Sequence, residues 1–229
     1  MRIKPLLNGE IVLVNFPTQQ DMTETFLRFV EYYESPAFTG KIFTFEEFKQ
    51  WYLKNSQESL KKGYFTYHED WQAFYLPSHK LEPFYRGDFH PLSDKERLFL
   101  NAFQERRKDQ FCIIGIYGEA KGNILKHEIA HALFGLFPEY KQEVLDIIQQ
   151  IPTLEKEKIL QFLADQGGYH PDSYDDETHA YVLEGRGDDL EEAGVDMEKL
   201  AEITHKLDLV FKRYAGELFK DEEMFKVVC

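Results

Sequence analysis

The 229-residue chain has only two cysteines, Cys112 inside an apolar run and Cys229 at the last position. Two sulfurs so placed build no disulfide framework, and a reducing compartment is the simpler expectation. Basic residues are scarce beside acidic ones, with 27 Lys and Arg against 41 Asp and Glu and a formal net charge of -14. Such a surface repels nucleic-acid backbones and anionic membranes, so neither is expected as a partner, whereas peptides, neutral or basic ones above all, are compatible. No apolar run approaches the roughly 20 residues of a membrane span. No small-residue cleavage site follows the short apolar stretch near the N-terminus. The expected location is cytoplasmic, and signal-independent secretion is also compatible. Internal repeats, low-complexity tracts and separating linkers are missing too, which leaves one domain as the expectation.

What is present divides the chain by pattern. "GEIVLVNFP", Gly9 to Pro17, is β-branched and bounded by Gly and Pro, the signature of a strand. Thr18 is placed to cap a helix whose apolar side carries Phe26, Phe29, Val30 and Tyr33. A second helical pattern carries Phe45, Phe48, Trp51 and Tyr52, and "YFTYHEDWQAFYLP" alternates loosely enough to suggest one or two strands. Ser93 with Glu96 three residues later forms a capping box for a further helix. "FCIIGIYGE" reads as a strand ended by Gly118, and the segments that follow read as helices. Strands gather in the first half and helices in the second, so the expected class is α+β. The expected organisation is a single domain, 1–229, with an N-terminal α/β lobe over about 1–92 and a catalytic core over about 93–229.

Chemistry concentrates in "GNILKHEIAHALFGLFPEY", Gly122 to Tyr140, where His127-Glu128-Ile129-Ala130-His131 spells H-E-x-x-H. On a helix, residues four apart sit one above the other, so His127 and His131 can present two imidazole nitrogens to one metal ion, as tetrahedral zinc requires. Glu128 is rotated by about 100° from His127. It cannot join the ligands, but it can reach a water activated by the metal and serve as general base. Ile124, Leu125, Ile129, Ala130, Ala132, Leu133 and Phe134 make the segment apolar almost all round. It should therefore be a buried helix, whose histidines and glutamate need partners that a metal and its water supply.

"ILKHEIAHAL" resembles the zincin metallopeptidase signature, with Ile129, Ala130, Ala132 and Leu133 matching its uncharged and apolar flanking positions. The resemblance covers the C-terminal half of the chain. It implies a zincin-like fold, a Zn2+ cofactor, peptide or protein substrates, and a strand before the helix whose edge holds extended substrate by backbone pairing. "FCIIGIYGE" stands in that position. In the metzincin branch a Gly and a third His follow at set spacing, but here Phe134 and Phe137 stand there. The gluzincin branch draws its third ligand, a Glu, from a later helix. "SYDDETHAYVLEG" offers Glu177, with the small Ala180 three residues on to allow close packing. His179, His170 and Glu139 compete for the same role. The gluzincin pattern has an Asp where this chain has Tyr181, so the group orienting the ligand histidines is open, and Asp176 is one candidate. Tyr181, one turn beyond Glu177, is the leading oxyanion donor, with Tyr169, His170 and Tyr174 behind it.

These residues lead to the expectation of a zinc metallopeptidase in which His127, His131 and Glu177 bind the metal, Glu128 activates water and Tyr181 assists. A zincin-fold binding or regulatory protein with little or no proteolysis is the alternative, and metal-dependent hydrolysis of a non-peptide amide is a third reading. Arg-Gly-Asp occurs at Arg86 to Asp88 and at Arg186 to Asp188; both are expected to be polar turns.

Overall fold

The computed structural model describes residues 1–119, 122–166, 169–185 and 188–216. Cys229 and most of the second Arg-Gly-Asp, Arg186 and Gly187, lie outside them. The chain divides into two compact units, Met1–Glu119 and the residues after it. The class is α+β. All strands among the described residues belong to the first unit. No helix among the described residues is long and apolar enough to cross a membrane.

The first unit begins with β1 (Arg2–Leu6) and β2 (Ile11–Phe16), joined by a tight turn in which Asn8 and Gly9 take the left-handed conformation, φ 55° and 90°. Asn and Gly tolerate that region with least strain. After β2 come α1 (Gln19–Glu34), α2 (Phe45–Asn55), α3 (Gln57–Lys62), α4 (Tyr67–Asp70), β3 (Ala73–Pro77), α5 (Glu82–Arg86), α6 (Asp94–Ala102) and β4 (Cys112–Tyr117). The sheet order is β1-β2-β4-β3, with β2 and β4 parallel and the two outer pairs antiparallel. Thr18 caps α1 by accepting the Asp21 N–H, and Ser93 and Glu96 close the expected capping box on α6.

Two expectations change here. "YFTYHEDWQAFYLP" yields a single strand, because its first part turns into α4. Asp70 accepts from the Thr66 and Tyr52 hydroxyls, and Tyr67 sinks into an aromatic core instead of pairing. "FCIIGIYGE" forms β4, but β4 is an interior strand, with β2 along one side and β3 along the other. Cys112, Ile113, Ile114 and Ile116 are all buried, the composition of a strand covered on both faces. Its backbone groups are committed to the sheet, so this strand offers no free edge for substrate. Residues 93–119, grouped by the sequence reading with the catalytic core, lie in the first unit.

Packing explains that grouping. Phe26 of α1 stacks on Phe74 of β3 with centroids 5.5 Å apart, and a Cβ added at Gly115 of β4 would fall 2.6 Å from the same ring. Glycine at 115 is what lets α1 lie close to the sheet. Arg28 of α1 donates through Nε and Nη2 to both oxygens of Glu96 on α6, at 2.7 and 2.6 Å, and its other hydrogens reach the Phe89 and Pro91 carbonyls. Glu96 thus caps its own helix and anchors it to α1. The first Arg-Gly-Asp ends α5, with Gly87 at φ 89° and Arg86 paired to Asp88, the polar turn expected.

The second unit contains α7 (Gly122–Leu136), α8 (Pro138–Ile148), α9 (Thr153–Gln166), α10 (Tyr174–Glu184), α11 (Asp188–Glu192) and α12 (Met197–Ala215). The principal partner of α10 is α7, and α12 packs against α8 and α10. Glu155 of α9, buried, accepts from the Asp196 N–H at the start of α12 and from Lys158 and Lys199.

Two stability predictions follow from these ties. Arg28→Ala leaves the buried Glu96 without its countercharge, and is expected to destabilise the protein by about 3–5 kcal/mol in urea unfolding. The Asp196 N–H, with Lys158 and then Lys199, holds Glu155 down to about 2 from its ordinary 4.5. A depressed carboxylate stabilises the fold above its unfolded pKa, and that contribution fades as pH falls between these two values. Glu155→Gln should flatten this part of the acid-unfolding curve, and an unchanged curve would contradict the role.

Candidate metal centre

The H-E-x-x-H segment folds as the buried helix its composition dictates. Leu125, Ile129, Ala130, Ala132 and Leu133 of α7 are each at most 4 % exposed. With apolar residues on most sides, the helix offers little solvent surface to its ionisable groups. Its partner α10 starts with Asp175, Asp176 and Glu177 in the first turn, where carboxylates suit the positive end of the helix dipole, and ends at Gly185 in the left-handed conformation. Ala180, fully buried, is the small residue expected to let the two helices approach.

Three side chains converge between them. His127 Nε2 and His131 Nε2 each lie 3.7 Å from Glu177 Oε2, and the ligand atoms of the three all fall within 4.8 Å of one another. At 3.7 Å neither histidine makes a hydrogen bond to that oxygen, and Glu177 Oε2 is buried with no hydrogen-bond partner. A buried carboxylate oxygen left in that condition costs about 1–3 kcal/mol or more. A cation among the three atoms removes the deficit. Tetrahedral zinc with bonds of about 2.0–2.1 Å sets its ligand atoms roughly 3.3 Å apart. The two 3.7 Å separations are close to that spacing, and the donor set of two imidazoles and a carboxylate is one zinc accepts. The residues present fit the group.

The far nitrogens of both histidines also face carboxylates. His131 Nδ1 is 2.9 Å from Asp176 Oδ1, the carboxylate that was a candidate for orienting a ligand histidine. His127 Nδ1 is 3.7 Å from Glu184 Oε1. Sequence reading missed Glu184 because attention fell on position 181; the available signal was its spacing of seven from Glu177, two turns along the same helix face. Lys126 donates to the Leu183 carbonyl at 2.9 Å and to Asp208 of α12 at 3.0 Å, pinning the end of α10 beside His127.

The competing ligands are otherwise engaged. His179, fully buried, has Nδ1 at 2.7 Å from the Asp176 carbonyl and Nε2 at 3.3 Å from the Tyr140 hydroxyl, while Phe134 stacks on its ring. His170 Nδ1 accepts the Asp172 N–H, and Glu139 is exposed. The Tyr181 ring sits edge-on to His127 with centroids 4.9 Å apart, and its hydroxyl is 3.0 Å from that of Tyr169. Tyr174 is the first residue of α10.

Electrostatics follows from crowding charges in a dry interior. Burial lifts the Glu128 carboxyl to about 7, with His127 and His131 opposing the rise. Burial alone would lower both histidines. The carboxylates of Glu177 and Glu184 overcome it and hold His127 well above its ordinary value, and Asp176 with Glu177 brings His131 up to about 9. Asp176 itself is burdened by burial but is held far below the usual range by His131 and His179. Burial, then Glu177, pushes the Tyr181 phenol up, so it keeps its proton.

Comparisons of the chain with protein-family models, with curated proteins and with solved structures found no match. The chemistry of the centre rests on its geometry.

In the metal-free protein the facing carboxylates favour the protonated form of both histidines, and a cation arriving at their Nε2 atoms would displace those protons. Zinc affinity should rise as pH climbs from 7 toward about 9, by about tenfold per pH unit for each proton displaced. Calorimetric titration in two buffers of different ionisation enthalpy checks this. A pH-independent affinity with no proton release would contradict it.

Proposed function

We propose that the protein is a zinc-dependent metallopeptidase of gluzincin-like type, with a zincin-like second half. The observation that carries the reading is the buried, unpartnered Glu177 Oε2 facing the Nε2 atoms of the H-E-x-x-H histidines. His127, His131 and Glu177 hold the metal. Zinc bound there supplies Lewis-acid activation of water and polarises the scissile carbonyl.

The remaining work falls to the chain's own side chains. Glu128 sits beside the ligands on α7 with a carboxyl whose affinity for a proton is matched to neutral pH, the condition under which a general base is most effective. It takes a proton from the attacking water and returns it to the leaving amine. Tyr181 stays protonated with its ring against His127, and its hydroxyl, which meets that of Tyr169, would turn to the developing oxyanion. Asp176 keeps the His131 ring in the orientation that turns Nε2 toward the metal. The acidic balance of the chain favours neutral or basic peptides over acidic ones.

The second reading, a zincin-like binding or regulatory protein that holds metal without proteolysis, draws support from β4. With both sides of that strand paired, extended substrate cannot be gripped there by backbone hydrogen bonds. Hydrolysis of a non-peptide amide draws on the same observation.

A peptide-library digest with the zinc-loaded protein separates these readings. Cleavage lost on adding chelator and lost in Glu128→Gln, which should retain its zinc while activity drops by about 10²–10⁴-fold, supports the peptidase. Bound metal without turnover supports the binding protein. Full activity in Glu128→Gln removes Glu128 from the mechanism.

A further inference from the structure

Glu184 is at odds with its local setting. It occupies the last turn of α10, where unsatisfied carbonyls make the helix end negative and a carboxylate is disfavoured. Its side chain is 13 % exposed, so water does little to relieve it. A solvated acid would avoid both conditions. What the position offers is His127: Glu184 Oε1 lies 3.7 Å from Nδ1, while Nε2 of the same ring faces Glu177. An imidazole that gives the Nε2 lone pair to a cation must carry its remaining proton on Nδ1, and a carboxylate facing Nδ1 favours that tautomer and fixes the ring plane. Lys126 holds the neighbouring Leu183 carbonyl, which keeps the end of α10 at this distance from His127 without neutralising Nδ1's partner.

From these contacts we infer that Glu184 is the positioning residue for His127, taking the role that Asp176 has toward His131. The inference deepens the zinc reading and rests on it. One helix then supplies a ligand, Glu177, and an orienting carboxylate for each of the two histidines on the facing helix. Tyr181, standing where the resembled pattern has an acid, is freed to place its ring on His127.

Zinc affinity of the full chain, measured by competition with a chromogenic chelator at fixed pH, tests this. Glu184→Ala is expected to weaken zinc binding by about 10–100-fold. Glu184→Gln, which keeps an acceptor oxygen facing Nδ1, should lose less. In the metal-free state both variants lose the charge facing His127 but also relieve an anion at a helix C-terminus, so the melting point should shift far less than the zinc affinity. Affinities equal to the parent's in both variants overturn the role of Glu184 and leave the metal centre standing. A metal-free melting point lowered as much as the affinity also overturns it, by making Glu184 a structural residue. A parent protein that binds no zinc overturns the metal reading itself.

Discussion

Inside the second unit, two imidazoles and three carboxylates crowd together, largely shielded from water, between α7 and α10, beside the buried carboxyl of Glu128. Isolated buried charges cost several kcal/mol each, so the cluster is stable only as a set. Without metal, Asp176, Glu177 and Glu184 favour protons on the two histidines. A cation at the three converging atoms would take the place of those protons, and the rest of the unit is arranged to hold the helix pair. Lys126 ties α7 to α10 and α12, and Glu155 ties α9 to the start of α12.

The first unit solves a different problem with different means. Its interior is aromatic, and rings meet edge-on or stacked from α1 through β3 to α6. Large rings leave irregular gaps unless the backbone yields, and Gly115 is where it yields to Phe26. The buried Arg28–Glu96 pair lies in that interior alongside other buried polar groups such as Thr23 and Glu31, and it ties α1 to α6.

Local signals were legible in the sequence. Thr18, the Ser93–Glu96 box, the apolar H-E-x-x-H helix and the segment containing Glu177 each depend on residues within a few positions of one another, and each folds as those residues dictate. What escaped depends on distant partners. "FCIIGIYGE" carries the composition of a strand, but whether such a strand lies inside or at the edge of a sheet is decided by β2 and β3, about a hundred and about forty residues away in sequence. The capping box at Ser93 marks where a helix begins and says nothing of which unit it joins; Arg28, on α1, settles that. Glu184 escaped for a simpler reason, since two helical turns separate it from the ligand with which it acts.

Asp176, Glu177 and Glu184 share one short helix bounded by a glycine in a conformation other residues rarely take. Their side chains are in phase only while the helix keeps its register. A slip of one residue would swing all three away from α7 together, by about 100°. The centre accordingly has no half-assembled form in which one histidine is supported and the other is not. Metal binding at these residues would be coupled to the folding of α10 as a whole, so an ion held there would also fasten that helix.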